Sequence, residues 1–167
     1  MSKEFSLQIS QNAHGQTVVE ISGAITENFV VTSNLVAGDI PIEIDLGKVD
    51  SLNSNGIRSF KLWLASLKNP EICFSKCPYF FINQVNVINN FLPPQSKILS
   101  FYVPFYSSKT DEEKFVLFTD GQEITNRGGG LYINIPSILD KTGHVMEMDV
   151  VSDKFFAFLR NQRPPSN

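Results

Sequence analysis

Amide and hydroxyl side chains cluster at Asn53-Ser54-Asn55-Gly56, directly after the apolar run PIEIDLGKV and directly before a stretch with helical spacing. A phosphoryl group at such a helix start would meet free backbone N–H groups and the positive end of the helix dipole. Its added charge of about −1.5 to −2 would repel an acidic partner. The four residues therefore offer either a working site or a plain helix start. In the second case Asn53 or Ser54 is an N-cap contributing about 1 kcal/mol, and Gly56 permits close packing.

Other chemistry-bearing residues give less. His14 lies in the turn QNAHGQ and His144 follows Gly143, and neither is expected to have a Cys, Asp or second His at relay or ligand spacing. Cys73 and Cys77 stand four apart in EICFSKC, on one face of an extended chain but too distant for disulfide geometry, which predicts reduced structural thiols. Gly128-Gly129-Gly130 lacks a Walker pattern and reads as a turn, Asp111-Glu112-Glu113 as a solvated acidic turn, and Gly-x-Ser-x-Gly is absent. The expectation is no catalytic residue, no metal and no cofactor.

The elements that must position these residues follow from periodicity. Phe5, Leu7 and Ile9 alternate, as does TVVEISGAI after the turn, so the chain opens with a β-hairpin. Thr26 to Leu35 is expected to form a short helix, and PIEIDLGKV a central strand with Ile42, Ile44 and Leu46 on one face. A helix over Ser54 to Lys68 presents Ile57, Phe60, Leu64 and Leu67, with Trp63 bordering the stripe. EICFSKC is the next strand, PYFFINQVNVINNFL a helix running to Leu92 before Pro93-Pro94, and KILSFYVPFY one further strand. The fold class is α/β: a mixed sheet packed with helices and joined by right-handed crossovers.

Beyond Tyr106 short strands and polar turns describe an appended β-rich lobe, closed by a helix DKFFAFLRNQ that Ser152 caps, with a fraying tail over 163–167. The division is thus 1–105, 106–162 and 163–167. With 42% hydrophobic and 19% charged residues the chain can bury a core unaided. A net charge of −3 without a Lys/Arg run argues against nucleic acid or an anionic membrane as partner. No segment has the length of a signal peptide or a membrane span, so a cytoplasmic location is expected.

Across roughly residues 5 to 105 the element order and one motif resemble the STAS domains of sulfate transporters and anti-sigma factor antagonists. Asp45-Leu46 stands where that family ends a strand with Asp-Leu, and Asn53-Ser54-Asn55-Gly56 where it opens a helix with Asp-Ser-Ser/Thr-Gly. The resemblance implies a STAS-like sheet and a non-catalytic, bacterial regulatory module. Its protein partner, an anti-sigma factor or kinase, would meet Asn53, Ser54, Asn55, Gly56 and Arg58. The phosphorylated hydroxyl of the family falls at Asn55, which cannot accept a phosphoryl group, leaving Ser54 or Ser51 as candidate positions. Some relatives bind nucleotides or lipidic ligands, which is one alternative; self-association through the lobe, giving a homo-oligomer, is another.

The lobe itself is similar to a zinc ribbon without cysteines. Ser107 and Thr110, and Leu139 and Thr142, occupy the places of two Cys-x-x-Cys knuckles. A small apolar core of Phe115, Leu117, Tyr132 and the final helix is expected instead of metal, and stoichiometric zinc in the purified protein would contradict this.

Overall fold

A computed structural model describes residues 4–32 and 35–162. The opening hairpin is β1 (Ser6–Gln11) and β2 (Thr17–Ile25), paired antiparallel from Ser6 opposite Ser22 to Gln11 opposite Thr17. Asn12 closes the turn, its Oδ1 accepting from the backbone N–H of His14 and of Gln16, both at 3.0 Å. The next strands, β3 (Ile42–Leu52), β4 (Ile72–Ser75) and β5 (Ser96–Ile98), join in parallel, so the sheet order is β1-β2-β3-β4-β5. The mixed α/β architecture expected from periodicity is present. Two helices, α1 (Ser54–Ser66) and α2 (Tyr79–Val87), carry the chain between parallel strands.

Alternation along β2 and β3 places Val19, Ile21, Ile25, Ile42, Ile44 and Leu46 in the core. Phe60, Trp63 and Leu64 of α1 and Phe81 and Ile82 of α2 are buried with them. Each such side chain removed from water stabilises the fold by about 1.5–3 kcal/mol. By contrast the ion pair of Lys76 Nζ with Asp45 Oδ2 at 2.6 Å joins a half-exposed lysine to a buried carboxylate. A pair open on one side contributes at most about 1 kcal/mol. Burial and the β-ladder therefore hold β4 beside β3, and the ion pair only dresses the join.

Several expected boundaries move, for identifiable reasons. Strand β3 does not stop near Val49 but runs to Leu52, because two irregularities in its pairing with β2 absorb extra residues. Gly47, at the first, has its N–H held by Asp45 Oδ1 at 2.9 Å. Such bulges add twist and redirect a strand end. The helix expected over Thr26 to Leu35 does not form in its described part: Thr26 caps a turn, with Phe29 N–H bonded to Thr26 C=O. Phe29 enters the aromatic core there, 5.4 Å from the Phe60 ring and 5.7 Å from Trp63. Ser33 and Asn34 lie outside the described residues. Helix α1 ends at Ser66 rather than Lys68. Helix α2 ends at Val87 rather than Leu92, and Asn90, at φ +53°, turns Phe91 into the core outside the helix.

The run KILSFYVPFY is two strands. After β5 the chain leaves the first sheet at Leu99, and β6 (Ser100–Ser107) belongs to a second sheet. That sheet is β10-β6-β7, antiparallel, with β7 (Glu112–Thr119) and β10 (Glu147–Met148). A hairpin of β8 (Ile124–Arg127) and β9 (Gly130–Ile133) turns through Gly128 and Gly129, both at positive φ. The glycine run is thus the expected turn. The terminal helix is broken into α3 (Ser152–Phe155) and α4 (Ala157–Gln162). Ser152 is not its cap; that position falls on Val151, and no side chain caps it.

Phe155, Phe156, Phe158 and Leu159 dock on Phe101, Val103, Phe105 and Phe118, completing a core continuous with that of the first sheet. Of the expected lobe core the final helix is buried, whereas Leu117 is only half-buried. Phe115 and Tyr132 are exposed, Phe115 stacking on Tyr79 with rings 5.5 Å apart, because Phe118 is the β7 residue turned inward. The tail over 163–167 lies outside the described residues.

Both cysteines are free and buried, one inside β4 and one just past its end, where Lys76 takes φ +51°. Burial raises the Cys73 thiol to about 11 and holds Cys77 well above its usual range. A thiol reagent at pH 8 should therefore find neither residue in the folded protein and both after denaturation; reaction of either before unfolding would contradict the packing.

Candidate functional site

The start of α1 is fixed by two contacts. Asn53, extended at φ −109°, is the N-cap, and its Oδ1 accepts from Gly56 N–H at 2.8 Å. Asn53 N–H in turn donates to the carbonyl of Ile25 at 3.2 Å, tying the cap to the end of β2. Gly56 is buried against that same carbonyl: a Cβ added there would lie 1.9 Å from Ile25 O and 2.3 Å from Ile25 C. The obstruction is backbone and cannot swing aside. Gly56 is required by space rather than by left-handed torsion, and Asn53 is the capping residue of the two candidates.

The expected partner-facing residues divide by this geometry. Asn53, Ser54, Asn55 and Arg58 are exposed, while Gly56 is buried and acts only through position. Ser54 begins the helix, and Arg58 follows four residues later on the same side. Ser51 is not in the loop: it pairs with Ala24 inside the ladder, and its Oγ donates to Asp50 at 3.2 Å. One residue of the site was missed. Glu27, from the turn after β2, accepts from Asn53 Nδ2 at 2.9 Å, and this bond holds its carboxyl below the usual range. Only the approach of the β2 end to the helix start brings Glu27 there, and no local spacing announces it.

A second polar cluster lies in the lobe. Asp140, with its side chain wholly enclosed, accepts from Ser107 Oγ at 2.6 Å and from Thr110 Oγ1 at 3.3 Å through one oxygen. Its other oxygen accepts from Thr142 N–H, Thr142 Oγ1 and His144 N–H at 2.8–3.0 Å. These donors hold the carboxyl well below its ordinary range. Thr142 Oγ1 also lies 2.8 Å from His144 Nδ1. Since its single proton goes to the carboxylate, the imidazole donates from Nδ1. His144, expected to lack an Asp at relay spacing, thus has one four residues before it.

Three of the four knuckle positions, Ser107, Thr110 and Thr142, converge on this carboxylate, and Leu139 turns outward. The donor set does not fit zinc: it holds no thiolate, and its hydroxyls are spent on Asp140. Among the described residues no group of three or more His, Cys, Asp or Glu is arranged to hold a metal ion. Asp140 was missed although LDKTG contains an Asp followed two residues later by Thr, the pattern of an Asx-turn.

Comparison with known proteins gives no assignment: no protein-family model, no curated protein and no solved structure matches the chain. Among the described residues no helix is long and apolar enough to cross a membrane.

Two sets of variants test the geometry. Gly56→Ala should destabilise the protein by at least the roughly 1–3 kcal/mol typical of overpacking, whereas Asn53→Ala should cost about 1 kcal/mol as a lost cap; urea unfolding distinguishes them, and a neutral Gly56→Ala would refute the close approach. Asp140→Ala should lower stability at pH 7 by stranding its donors. Because the folded-state carboxyl titrates lower than the unfolded one, its contribution is full above about pH 3.9 and fades below it. The gap between wild type and Asp140→Ala should accordingly narrow in acid, as read by denaturant midpoints across pH.

Proposed function

We propose that the chain is a non-catalytic regulatory module, similar to an anti-sigma factor antagonist, that meets a protein partner through the start of α1. The observation that carries this reading is the locking of that start onto β2 by Gly56 and Asn53, which leaves Ser54, Asn55 and Arg58 exposed on a fixed frame. A rigid surface binds without the entropy of ordering it. The hairpin followed by three parallel strands supports the STAS-like reading of the sheet. Ser54 is the better candidate for modification: it is exposed at the first helical position, where a phosphate is favoured by the dipole and lies within a helical turn of Arg58. Ser51 is held in the ladder. Asn55 keeps the family's usual phosphorylation position permanently uncharged.

A second reading, self-association through the lobe, draws on the exposed Leu131, Tyr132, Ile135, Leu139 and Val145.

Affinity capture with the wild type and with a Ser54→Asp, Asn55→Asp double variant tests the first reading. Charge at both positions should remove or replace the captured partners while leaving the urea midpoint near its original value; an unchanged set of partners with an unchanged midpoint would contradict this surface.

A further inference from the structure

Sheet edges expose unpaired N–H and C=O groups, and proteins normally blunt them with charge, proline, bulges or brevity. Most edges here follow that rule. β5 has three residues including Lys97, β10 has two, and β7 carries Glu112, Glu113 and Lys114. β1 does not: SLQISQ is six residues long, uncharged and free of proline, its pairing with β2 has no bulge, and five of its six residues are exposed.

The direction of its free groups follows from the turn. Asn12 N–H donates inward to Gln16 C=O at 3.0 Å, so the even-numbered residues of β1 bond to β2. Leu7, Ile9 and Gln11 therefore turn their N–H and C=O groups outward. The side chains of Leu7 and Ile9 share the apolar face, opposite the buried Ile21 and Val19, yet Ile9 remains 41% exposed.

We propose that β1 pairs antiparallel with β1 of a second copy of this chain, joining the two five-stranded sheets edge to edge. The strand is complementary to itself. A two-fold axis through Gln8, normal to the sheet, sets Leu7 opposite Ile9 of the other copy and Ser6 opposite Ser10. About four N–H···O=C bonds form from the outward groups of Leu7 and Ile9. Apolar meets apolar on one face and polar meets polar on the other, and no like charges oppose. Ile9 is then covered by Leu7 of the second copy. Dimerisation leaves the start of α1 free and is independent of the reading given for that site.

Sedimentation at rising protein concentration tests this, with residue-resolved amide exchange on the same samples. The mass should double from 18.7 kDa, and Leu7 and Ile9 should gain protection as it does. Ile9→Lys sets a charge against the apolar Leu7 of the second copy, and Ile9→Pro removes only an outward donor, a position where edge strands accept proline. Each should weaken dimerisation at least about tenfold, equivalent to about 1.4 kcal/mol, whereas Ile135→Lys on the lobe should leave it unchanged. A protein that stays monomeric, or a dimer in which the Leu7 and Ile9 amides exchange freely, overturns the proposal. A dimer lost in Ile135→Lys and kept in the Ile9 variants overturns it in favour of the lobe.

Discussion

The approach of Gly56 to the Ile25 carbonyl is the constraint on which the first half of the molecule is arranged. It allows α1 to begin against the end of β2, so that one carbonyl both receives the Asn53 N–H and bounds the helix start. From that fixed origin Phe60, Trp63 and Leu64 reach the sheet at successive turns, and the aromatic contacts among Phe29, Phe60, Phe81 and Phe91 follow. The same closeness brings Glu27 to Asn53 and turns Ser54, Asn55 and Arg58 to solvent. Stability and a defined surface have one origin here.

The lobe solves a different problem. Two turns from distant parts of the chain, at 107–110 and 140–144, must be held together. A single enclosed carboxylate does this by accepting from both. Hydrogen bonds to an ionised acceptor contribute more than neutral ones, and a buried charge is tolerable only when so supplied. The aromatic residues of α3 and α4 then seal β6 and β7 and merge the lobe's core with that of the first sheet. Backbone bonds at Cys77, from its N–H to Ser100 C=O and from Tyr102 N–H to its C=O, stitch the two sheets where the chain crosses between them.

Much of the first sheet was legible in the sequence because its signals are local. The alternation in TVVEISGAI, the unbroken Ile42, Ile44 and Leu46, and the helical stripe through Phe60 and Leu64 each report burial that a single element decides. The role of Gly56 was also legible as a need for close packing. What could not be read depended on partners distant in sequence. The division of KILSFYVPFY at Leu99 arises from two sheets competing for one extended run, and the failure of the Thr26 helix from the aromatic pocket that takes Phe29. Phe115 and Phe118 are equivalent in hydrophobicity, and only the pairing of β6 with β7 and the terminal helices determines which is buried. At the site, Asn53 as cap was one of two readings, while Glu27 and Asp140 depend on contacts across 26 and 33 residues.

The central claim is that the start of α1 is a rigid, preformed surface. Residue-resolved amide exchange across Asn53 to Ile57 in the free protein measures this directly. The Gly56 amide, bonded to the Asn53 side chain, and the Ile57 amide, bonded to the Asn53 carbonyl, should exchange orders of magnitude more slowly than those of Ser54 and Asn55, which head the helix without intrahelical acceptors. Equal and rapid exchange across all four positions would mean a frayed helix start, and would contradict the account.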